Sequence, residues 1–222
     1  MILFTFLLAA VAAWNKPVEP VRITENLYYV GTNEMTSFLI TTPQGHIVLD
    51  GGFEETAPII LANIRKLGFR PDDVKILLCS HAHYDHVGGL AALKSATGAT
   101  FIANRRDAPQ LARGGLGDPQ FGDKYPFPPI RPDRLVGDLD TVTLGGVTLV
   151  AHNTPGHTPG CTTWTTKLGG HEIAFVGSPT VPSEYKLTPA IIAIAGSSAC
   201  CTRCIPTSFS RRTAACSISR RS

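Results

Sequence analysis

The sequence predicts one α/β domain that is rich in β-sheet. Its 222 residues favour a single large domain over two, and 43% hydrophobic residues are enough to form a sizeable core. Up to Leu187, short β-rich runs alternate with segments of helical spacing. The 21 glycines and 17 prolines indicate many tight turns, as expected of a sheet-rich protein whose functional residues lie in loops.

The first half of the chain begins with predicted strands. Segments 27–30 and 37–42 carry the β-branched and aromatic residues that favour strands. The turn signal Pro43-Gln44-Gly45 indicates that 46–50 pairs back on the preceding strand as a hairpin. Apolar residues then recur at helical spacing over 56–67, which predicts the first helix.

The centre of the chain combines buried strands with one long loop. The short apolar run 74–79 is typical of a strand covered on both faces, and Gly88-Gly89-Leu90 opens a helix that runs through Leu93. Residues 107–134 contain many Gly, Pro and Asp residues without periodicity, and long loops of this kind are usually functional. Further strands are predicted at 100–103, at 141–151 with a turn at Gly145-Gly146, and in a hairpin formed by 162–166 and 172–176.

The N-terminal segment and the charge constrain location and partners. Residues 1–13 are apolar and offer small residues at which a signal peptidase could cut, but no Lys or Arg precedes the apolar run. We interpret them as a secretory signal, which predicts a periplasmic or secreted protein; a disordered or core-packing segment is the alternative. The run is too short to span a bilayer, so we expect no stable membrane insertion. The net charge of +3 gives no reason to expect a nucleic-acid partner.

A dense group of metal-ligating side chains follows the buried strand 74–79. The segment His81-Ala82-His83-Tyr84-Asp85-His86 combines imidazoles and a carboxylate, which are ligands that zinc accepts in tetrahedral or slightly expanded geometry. Since His81 and His83 are spaced i and i+2 just past a strand end, both rings can face one side. His157 lies in a turn between two prolines, which holds a ring in place at little entropic cost. The pattern predicts a zinc site.

The alternative interpretation is a polar loop with hydrogen-bonded histidines, which is a rare outcome for so dense a cluster. Three other histidines favour such a structural or solvated role. His46 lies in a hairpin strand and His171 in a turn. His152 precedes the turn that carries His157, and we expect it to pack or form hydrogen bonds there.

The pattern His-x-His-x-Asp-His-x-Gly-Gly over 81–89 resembles that of the metallo-β-lactamase superfamily. The segments 14–20, 107–121, 151–164 and 176–181 are similar to the third subclass of zinc β-lactamases, and the resemblance covers roughly residues 14–187. It implies an α/β fold of four layers, the αββα sandwich, in which two sheets pack face to face with helices outside. The alternative is another hydrolase of the superfamily, such as a glyoxalase II or a lactonase, which shares the histidine cluster.

The resemblance also implies roles for individual residues. Two zinc ions would activate a water molecule that opens the ring of a β-lactam, with Asp85 orienting that water and the first zinc polarising the carbonyl. The second zinc would take one more histidine, expected well downstream. The alternative that is not an enzyme is an inactive remnant that still binds zinc. The implied residues are His81, His83 and His157 for the first zinc, Asp85 and His86 for the second, Ser178 and Thr180 for the substrate carboxylate, and Asp50 as a buried carboxylate that supports the ligand loop.

The tail 188–222 differs in character from the rest. It holds four cysteines and five arginines, no Asp or Glu and no amphipathic period. No histidine follows His171, so the expected downstream ligand is absent. The clustered cysteines could indicate a disulfide or zinc knot, and the tail could also be a genuine divergent end.

A shifted reading frame explains this tail better. When the third base of each codon is read with the first two of the next, Cys200-Cys201 forces Leu, and 206–219 permits Asp-Val-Phe-Leu-Ala-Pro-His-Gly-Ser-Met-Phe-Asp-Leu. This string resembles the C-terminal ligand segment of the subclass, and its histidine arises from Arg212-Thr213. We therefore hypothesise a frameshift near Thr188, which makes 14–187 the metallo-β-lactamase domain and the tail cysteines accidents of the wrong frame.

Overall fold

Two β-sheets pack face to face in this protein. The computed structural model describes residues 12–178 and the backbone of 215–217. Most of the predicted signal segment, Thr180 and nearly all of the tail lie outside the described residues. None of the described helices has the length and apolarity needed to cross a membrane.

The first sheet has seven strands in chain order. They are β1 (Val21–Arg22), β2 (Leu27–Tyr29), β3 (Phe38–Thr42), β4 (Gly45–Leu49), β5 (Val74–Leu78), β6 (Thr100–Asn104) and β7 (Arg134–Val136). Pairing is antiparallel from β1 to β4 and parallel from β4 to β7. Parallel strands bring their carboxyl ends to one edge of a sheet, so the loops after β4, β5 and β6 meet there.

The second sheet is antiparallel throughout. Its strands are β8 (Thr141–Leu144), β9 (Val147–Asn153), β10 (Thr162–Leu168), β11 (His171–Phe175) and β12 (Ala215–Ser217). They lie in the order β12-β11-β10-β9-β8. The tight turns Gly145-Gly146 and Gly169-Gly170 have positive φ at each glycine, which suits a two-residue hairpin turn.

Helices cover the outer face of the first sheet. They are α1 (Ala57–Lys66), α2 (Tyr84–Val87), α3 (Leu90–Thr97) and α4 (Ala108–Ala112), with short 3-10 turns at Glu54–Thr56 and Pro71–Asp73. Ile60 of α1 and Leu90 of α3 pack with Leu77 of β5 in one buried cluster. Burial of such side chains stabilises the layer by about 1.5–3 kcal/mol each.

The opposite face of the first sheet packs on the second sheet. Phe38 and Ile47 join Leu149, Trp164 and Phe175 in a second buried cluster. The fully buried indole of Trp164 donates its N–H to the carbonyl of Cys79, at the end of β5. The predicted sandwich of two sheets with an outer helix layer is confirmed, and within 12–178 no helix covers the second sheet.

The predicted elements agree with the observed ones to within a few residues. The helix opened by Gly88-Gly89-Leu90 extends further than predicted, to Thr97, and ends at Gly98 in a left-handed conformation. Residues 107–134 do form a long connection, but it begins with α4, which has Pro109 in its first turn.

Candidate metal centre

The first ligand group gathers at the carboxyl edge of the parallel strands. His81 and His83 follow β5, and His157 lies in the loop between β9 and β10. One ligand atom from each of the three residues lies within 4.8 Å of the other two. Nδ1 of His83 is 2.9 Å from Nε2 of His157, so these two nitrogens face a common point. The structure thus brings together residues that are far apart in sequence.

The three imidazoles fit a metal ion. Nε2 of His81 is buried and, among the described residues, has no hydrogen-bond partner. Burial, together with the neighbouring His86, His83 and His157, holds the pKa of His81 well below its usual value. Burial and the nearby His83 and His86 lower the pKa of His157 to about 3. His81 and His157 are therefore neutral near pH 7, which is the form that donates a lone pair to zinc.

A second group shares His81 with the first. Ligand atoms of His81, Asp85 and His86 also lie within 4.8 Å of one another. Asp85 and His86 belong to the single-turn helix α2, and Oδ2 of Asp85 is 3.7 Å from Nε2 of His86. Burial lowers the pKa of His86, but the charges of Asp85 and Asp50 and a hydrogen bond to Asp50 outweigh it and raise the pKa to about 9. The further histidine expected for this position is absent from the sequence, which has no histidine after His171.

Asp50 lies beneath both groups. Its carboxylate accepts hydrogen bonds from the backbone N–H and the hydroxyl of Ser80, at 2.7 and 2.8 Å. Nδ1 of His86 is 2.9 Å from the same carboxylate, and Oγ of Ser80 is 3.2 Å from Nδ1 of His81. These contacts leave Nε2 of both histidines turned toward the ligand groups, which is the orienting role that carboxylates perform behind metal-binding histidines.

Sequence reasoning missed Asp107, which joins the two ligand loops. Its Oδ2 accepts the backbone N–H of Ala82 at 2.9 Å and the hydroxyl of Thr158 at 2.8 Å, and its Oδ1 accepts the N–H of Gly160 at 2.6 Å. A Cβ on Gly160 would lie 2.6 Å from the Asp107 side chain, so the approach requires glycine. Its position just past the end of β6, beside the ends of β4 and β5, was the available signal.

Asp118 was also missed, and it lies on the far side of His83. Its Oδ2 is 3.3 Å from Nε2 of His83. Burial raises the pKa of Asp118, but hydrogen bonds from His83 and from the backbone N–H groups of Phe121 and Gln120 outweigh burial and lower the pKa below its usual value. Nothing in the sequence pattern of the long loop distinguishes Asp118 from Asp123.

Aromatic rings form a wall beside His83. Phe121 meets the His83 ring edge to face at 5.0 Å between centroids, and it meets Tyr125 in the same way at 5.3 Å. Tyr125 stacks on Tyr84 at 4.6 Å, and Tyr84 stacks on Phe53 at 5.3 Å. The wall gives one side of the centre an apolar surface.

The remaining predicted site residues stand as follows. Ser178 is half-buried at the end of the described segment, where its backbone N–H reaches the thiol of Cys161. Thr180 lies outside the described residues. His46 packs its ring against Phe69, and His152 forms a 2.8 Å hydrogen bond with Thr165, so both make structural contacts away from the ligand groups.

The chain belongs to the metallo-β-lactamase superfamily, since the model of that family matches residues 33–189. Its fold matches a metallo-β-lactamase of Cronobacter sakazakii with a TM-score of 0.81 and 43% identity, covering 85% of this chain and 75% of that one. It also matches FEZ-1 of Legionella gormanii (TM-score 0.78, 40% identity, 83% and 74% covered). BJP-1 of Bradyrhizobium japonicum, a subclass B3 enzyme, matches with a TM-score of 0.75 and 39% identity over 85% and 74%. The resemblance to the third subclass is therefore confirmed.

Curated relatives point to a broader range of hydrolases. A probable metallo-hydrolase of Burkholderia pseudomallei is 32% identical, covering 59% of this chain and 45% of the relative. The N-acyl homoserine lactonase AttM of Azorhizobium caulinodans is 31% identical, covering 55% of this chain and 56% of the relative. The chain thus spans about half the length of the curated relatives that it matches.

Proposed function

We propose that this protein is a zinc-dependent hydrolase that opens the β-lactam ring of antibiotics. The observation that carries the proposal is the convergence of His81, His83 and His157 beside Asp85 and His86, in a fold similar to that of a subclass B3 metallo-β-lactamase. The structural neighbours named above are 39–43% identical over about three quarters of their length. The matching lactonases are more distant, which favours β-lactams as substrates.

The residues of the centre would have separate roles. His81, His83 and His157 would hold one zinc, and Asp85 with His86 would contribute to a second. Zinc, when bound, supplies a water-derived nucleophile at neutral pH and polarises the amide carbonyl. The side chain of Asp85 is 37% exposed, so it can accept a hydrogen bond from the attacking water and hold the proton that the leaving nitrogen needs. The aromatic wall excludes water from one side of the substrate.

Hydrolysis of a chromogenic cephalosporin such as nitrocefin tests the proposal. Purified, zinc-supplemented protein should turn over nitrocefin, and chelation should abolish turnover. An N-acyl homoserine lactone and a glutathione thioester, assayed in parallel, distinguish the alternatives within the superfamily. If the protein hydrolysed the lactone alone, lactones would replace β-lactams as the proposed substrates, and the proposed metal centre would stand. Zinc binding without turnover of any of the three would identify an inactive zinc-binding remnant.

Lactone hydrolysis is the second candidate, and the similarity to the AttM lactonases favours it. An ester carbonyl and an amide carbonyl need the same polarisation and the same nucleophile, so one centre accommodates both reactions. The comparison of nitrocefin with the lactone at equal concentrations separates the two.

We further propose that the second metal position is incomplete as the chain is written, because its downstream histidine is lost to a frameshift near Thr188. The tail composition and the permitted Pro-His-Gly string support this proposal, and the family match ends at residue 189.

We also propose that the protein is exported to the periplasm, and the apolar segment 1–13 supports this proposal. N-terminal sequencing of protein recovered from the periplasm tests it, and an intact Met1 on protein found in the cytosol alone would contradict it.

A further inference from the structure

The two nitrogens of the His83 ring face different surroundings. Nδ1 points toward the first ligand group, 2.9 Å from Nε2 of His157. Nε2 points the opposite way, into the long loop, where it lies 3.3 Å from Oδ2 of Asp118. The His83 side chain is 4% exposed and that of Asp118 is 7% exposed, so water does not replace this contact easily.

Asp118 is itself fixed by its loop. Its Oδ1 accepts the backbone N–H groups of Gln120 and Phe121 at 2.7 and 2.8 Å. Its backbone exchanges two hydrogen bonds with Gly122, at 3.1 and 2.8 Å. The side-chain amide of Gln110, in the middle of α4, donates a 3.2 Å hydrogen bond to Oδ2 of Asp118. With Oδ1 committed to the turn, Oδ2 is the oxygen that faces His83.

We propose that Asp118 is a positioning residue of the metal centre, which accepts the Nε2–H of His83 and so directs the lone pair of Nδ1 at the metal. A neutral imidazole carries one N–H, and an ionised carboxylate can only accept a hydrogen bond. The contact therefore selects the tautomer that has its proton on Nε2 and its free lone pair on Nδ1. This inference rests on the proposed metal site and is independent of which substrate is hydrolysed.

The same contact ties the long loop to the metal. Asp118 lies in the loop that also supplies Phe121 and Tyr125 to the aromatic wall. A metal that fixes the His83 ring favours the loop conformation in which Asp118 meets that ring. By reciprocity of binding free energies, that loop conformation raises metal affinity by the same factor.

Competition with a chromogenic chelator measures the dissociation constant for zinc in the full chain and tests the inference. Asp118→Ala should raise the constant for the more tightly bound zinc about 10- to 100-fold. Asp118→Asn should raise it less, because an amide oxygen still accepts the N–H. Asp123→Asn is the matched control: Asp123 lies in the same loop and accepts the N–H of Gly117 at 2.8 Å, but it contacts no member of the ligand groups.

The ring proton of His83 reports the proposed hydrogen bond directly, and Asp118→Asn tests whether a hydrogen-bond acceptor at this position is enough to keep it. In the ¹H NMR spectrum of the zinc-loaded protein, the Nε2–H signal should exchange slowly in the wild type and in Asp118→Asn, and should vanish into solvent exchange in Asp118→Ala. Limited proteolysis of the loop should slow on zinc addition in the wild type and much less in Asp118→Ala.

Two outcomes would overturn the inference. If Asp118→Ala bound zinc as tightly as the wild type, with faster loop cleavage as its single effect, Asp118 would hold the loop and not the ligand. If the wild-type chain bound no zinc, both the proposed centre and this inference would be wrong. The wild-type titration therefore distinguishes a failure of the inference from a failure of the proposed function.

Discussion

The two metal positions lie side by side but are built in different ways. The first draws His81 and His83 from the end of β5 and His157 from a loop of the other sheet. Asp107 joins these two loops with three hydrogen bonds. The second draws Asp85 and His86 from one turn of helix. The first position is thus assembled by long-range contacts within 12–178, whereas the second has, among the described residues, one neighbour pair and the His81 that it shares with the first.

The histidines of the two positions also differ in protonation. The pKa of His81 is well below its usual value and that of His157 is about 3, so these residues meet a metal already neutral. The pKa of His86 is about 9, because Asp85 and Asp50 outweigh the effect of burial, so at neutral pH this residue must first lose a proton. The first position therefore includes two histidines that bind a metal without losing a proton, whereas the second includes one that must lose a proton first.

Removing the shared histidine should have the largest effect. His81→Ala should raise the zinc dissociation constant more than about 100-fold and abolish turnover, because His81 belongs to both ligand groups. His86→Ala should leave one tightly bound zinc. Metal content measured after gel filtration distinguishes the two variants.

His152→Ala is the control for these variants, because His152 is a half-buried histidine that bonds to Thr165 and belongs to neither group. It should retain wild-type metal content. Unchanged zinc content in His81→Ala would show that the first position has been assigned to the wrong residues.

Restoring the reading frame should have the next largest effect. One frame step near Thr188 should replace the tail by a segment with a histidine in Pro-His-Gly context and complete the second position. The restored protein should bind two zinc ions where the chain as written should bind one tightly. It should be the more active and more soluble of the two, because we expect the restored segment to cover apolar surface of the second sheet. Isothermal titration and nitrocefin turnover of both proteins measure the difference.

Sequencing the gene decides whether that histidine is encoded. An early stop in the shifted frame, or the absence of the histidine, would rule out the frameshift. Full activity with two bound zinc ions in the chain as written would instead refute the claim that the tail disables the second position. Cys200 and Cys204 would then be the first candidates for substitute ligands, because thiolate binds zinc.

Local patterns in the sequence predicted most of the fold. The hairpin around Pro43-Gln44-Gly45, the helix at 56–67 and the buried strand at 74–79 all follow from periodicity and turn chemistry, which act over a few residues. The ligand cluster was predictable for the same reason, since His81 to His86 are close in sequence. The turn between two prolines made His157 a candidate ligand. Only the resemblance paired it with His81, because that contact requires the packing of one sheet on the other.

Asp107 and Asp118 show where sequence reasoning stops. Both lie in a loop without periodicity. The position of Asp107 just past β6 could have marked it, but nothing distinguishes Asp118 from Asp123. Asp107 acts by reaching Ala82 and Thr158, and Asp118 by reaching His83, and these contacts exist only after the two sheets pack. A pattern that repeats every two or four residues carries no information about such contacts.

The two positions should respond differently to pH. His86 must release its proton to bind metal, so the affinity of the second zinc should rise about tenfold per pH unit from pH 6 to its pKa near 9 and level off above it. His157, with a pKa of about 3, has no proton to release in that range, and the first zinc should depend on pH less steeply. Titrations at pH 6, 7, 8 and 9 with the frame-restored protein measure both slopes, and equal slopes would contradict the assignment.

The smallest expected effect concerns the hydroxyl of Thr158, which donates a hydrogen bond to Asp107 between the two ligand loops. Thr158→Val removes the hydrogen bond to Oδ2 of Asp107 and leaves the N–H donors of Ala82 and Gly160 in place. The loss should cost about 1 kcal/mol. If the hydrogen bond holds the loop of His157 in position, the affinity of the first position for zinc should fall about fivefold.

Thr166→Val is the matched control for that variant. Thr166 is as buried as Thr158, and its hydroxyl donates to the carbonyl of Thr148 within the second sheet, away from the ligand loops. Both valine variants should lower the free energy of unfolding of the metal-free protein by about the same 1 kcal/mol, as urea denaturation measures it. Only Thr158→Val should also weaken zinc binding, and Thr158→Ser, which keeps the hydroxyl, should restore it. If Thr158→Val and Thr166→Val bound zinc equally well, the contact through Asp107 would stabilise the fold without positioning the metal ligands.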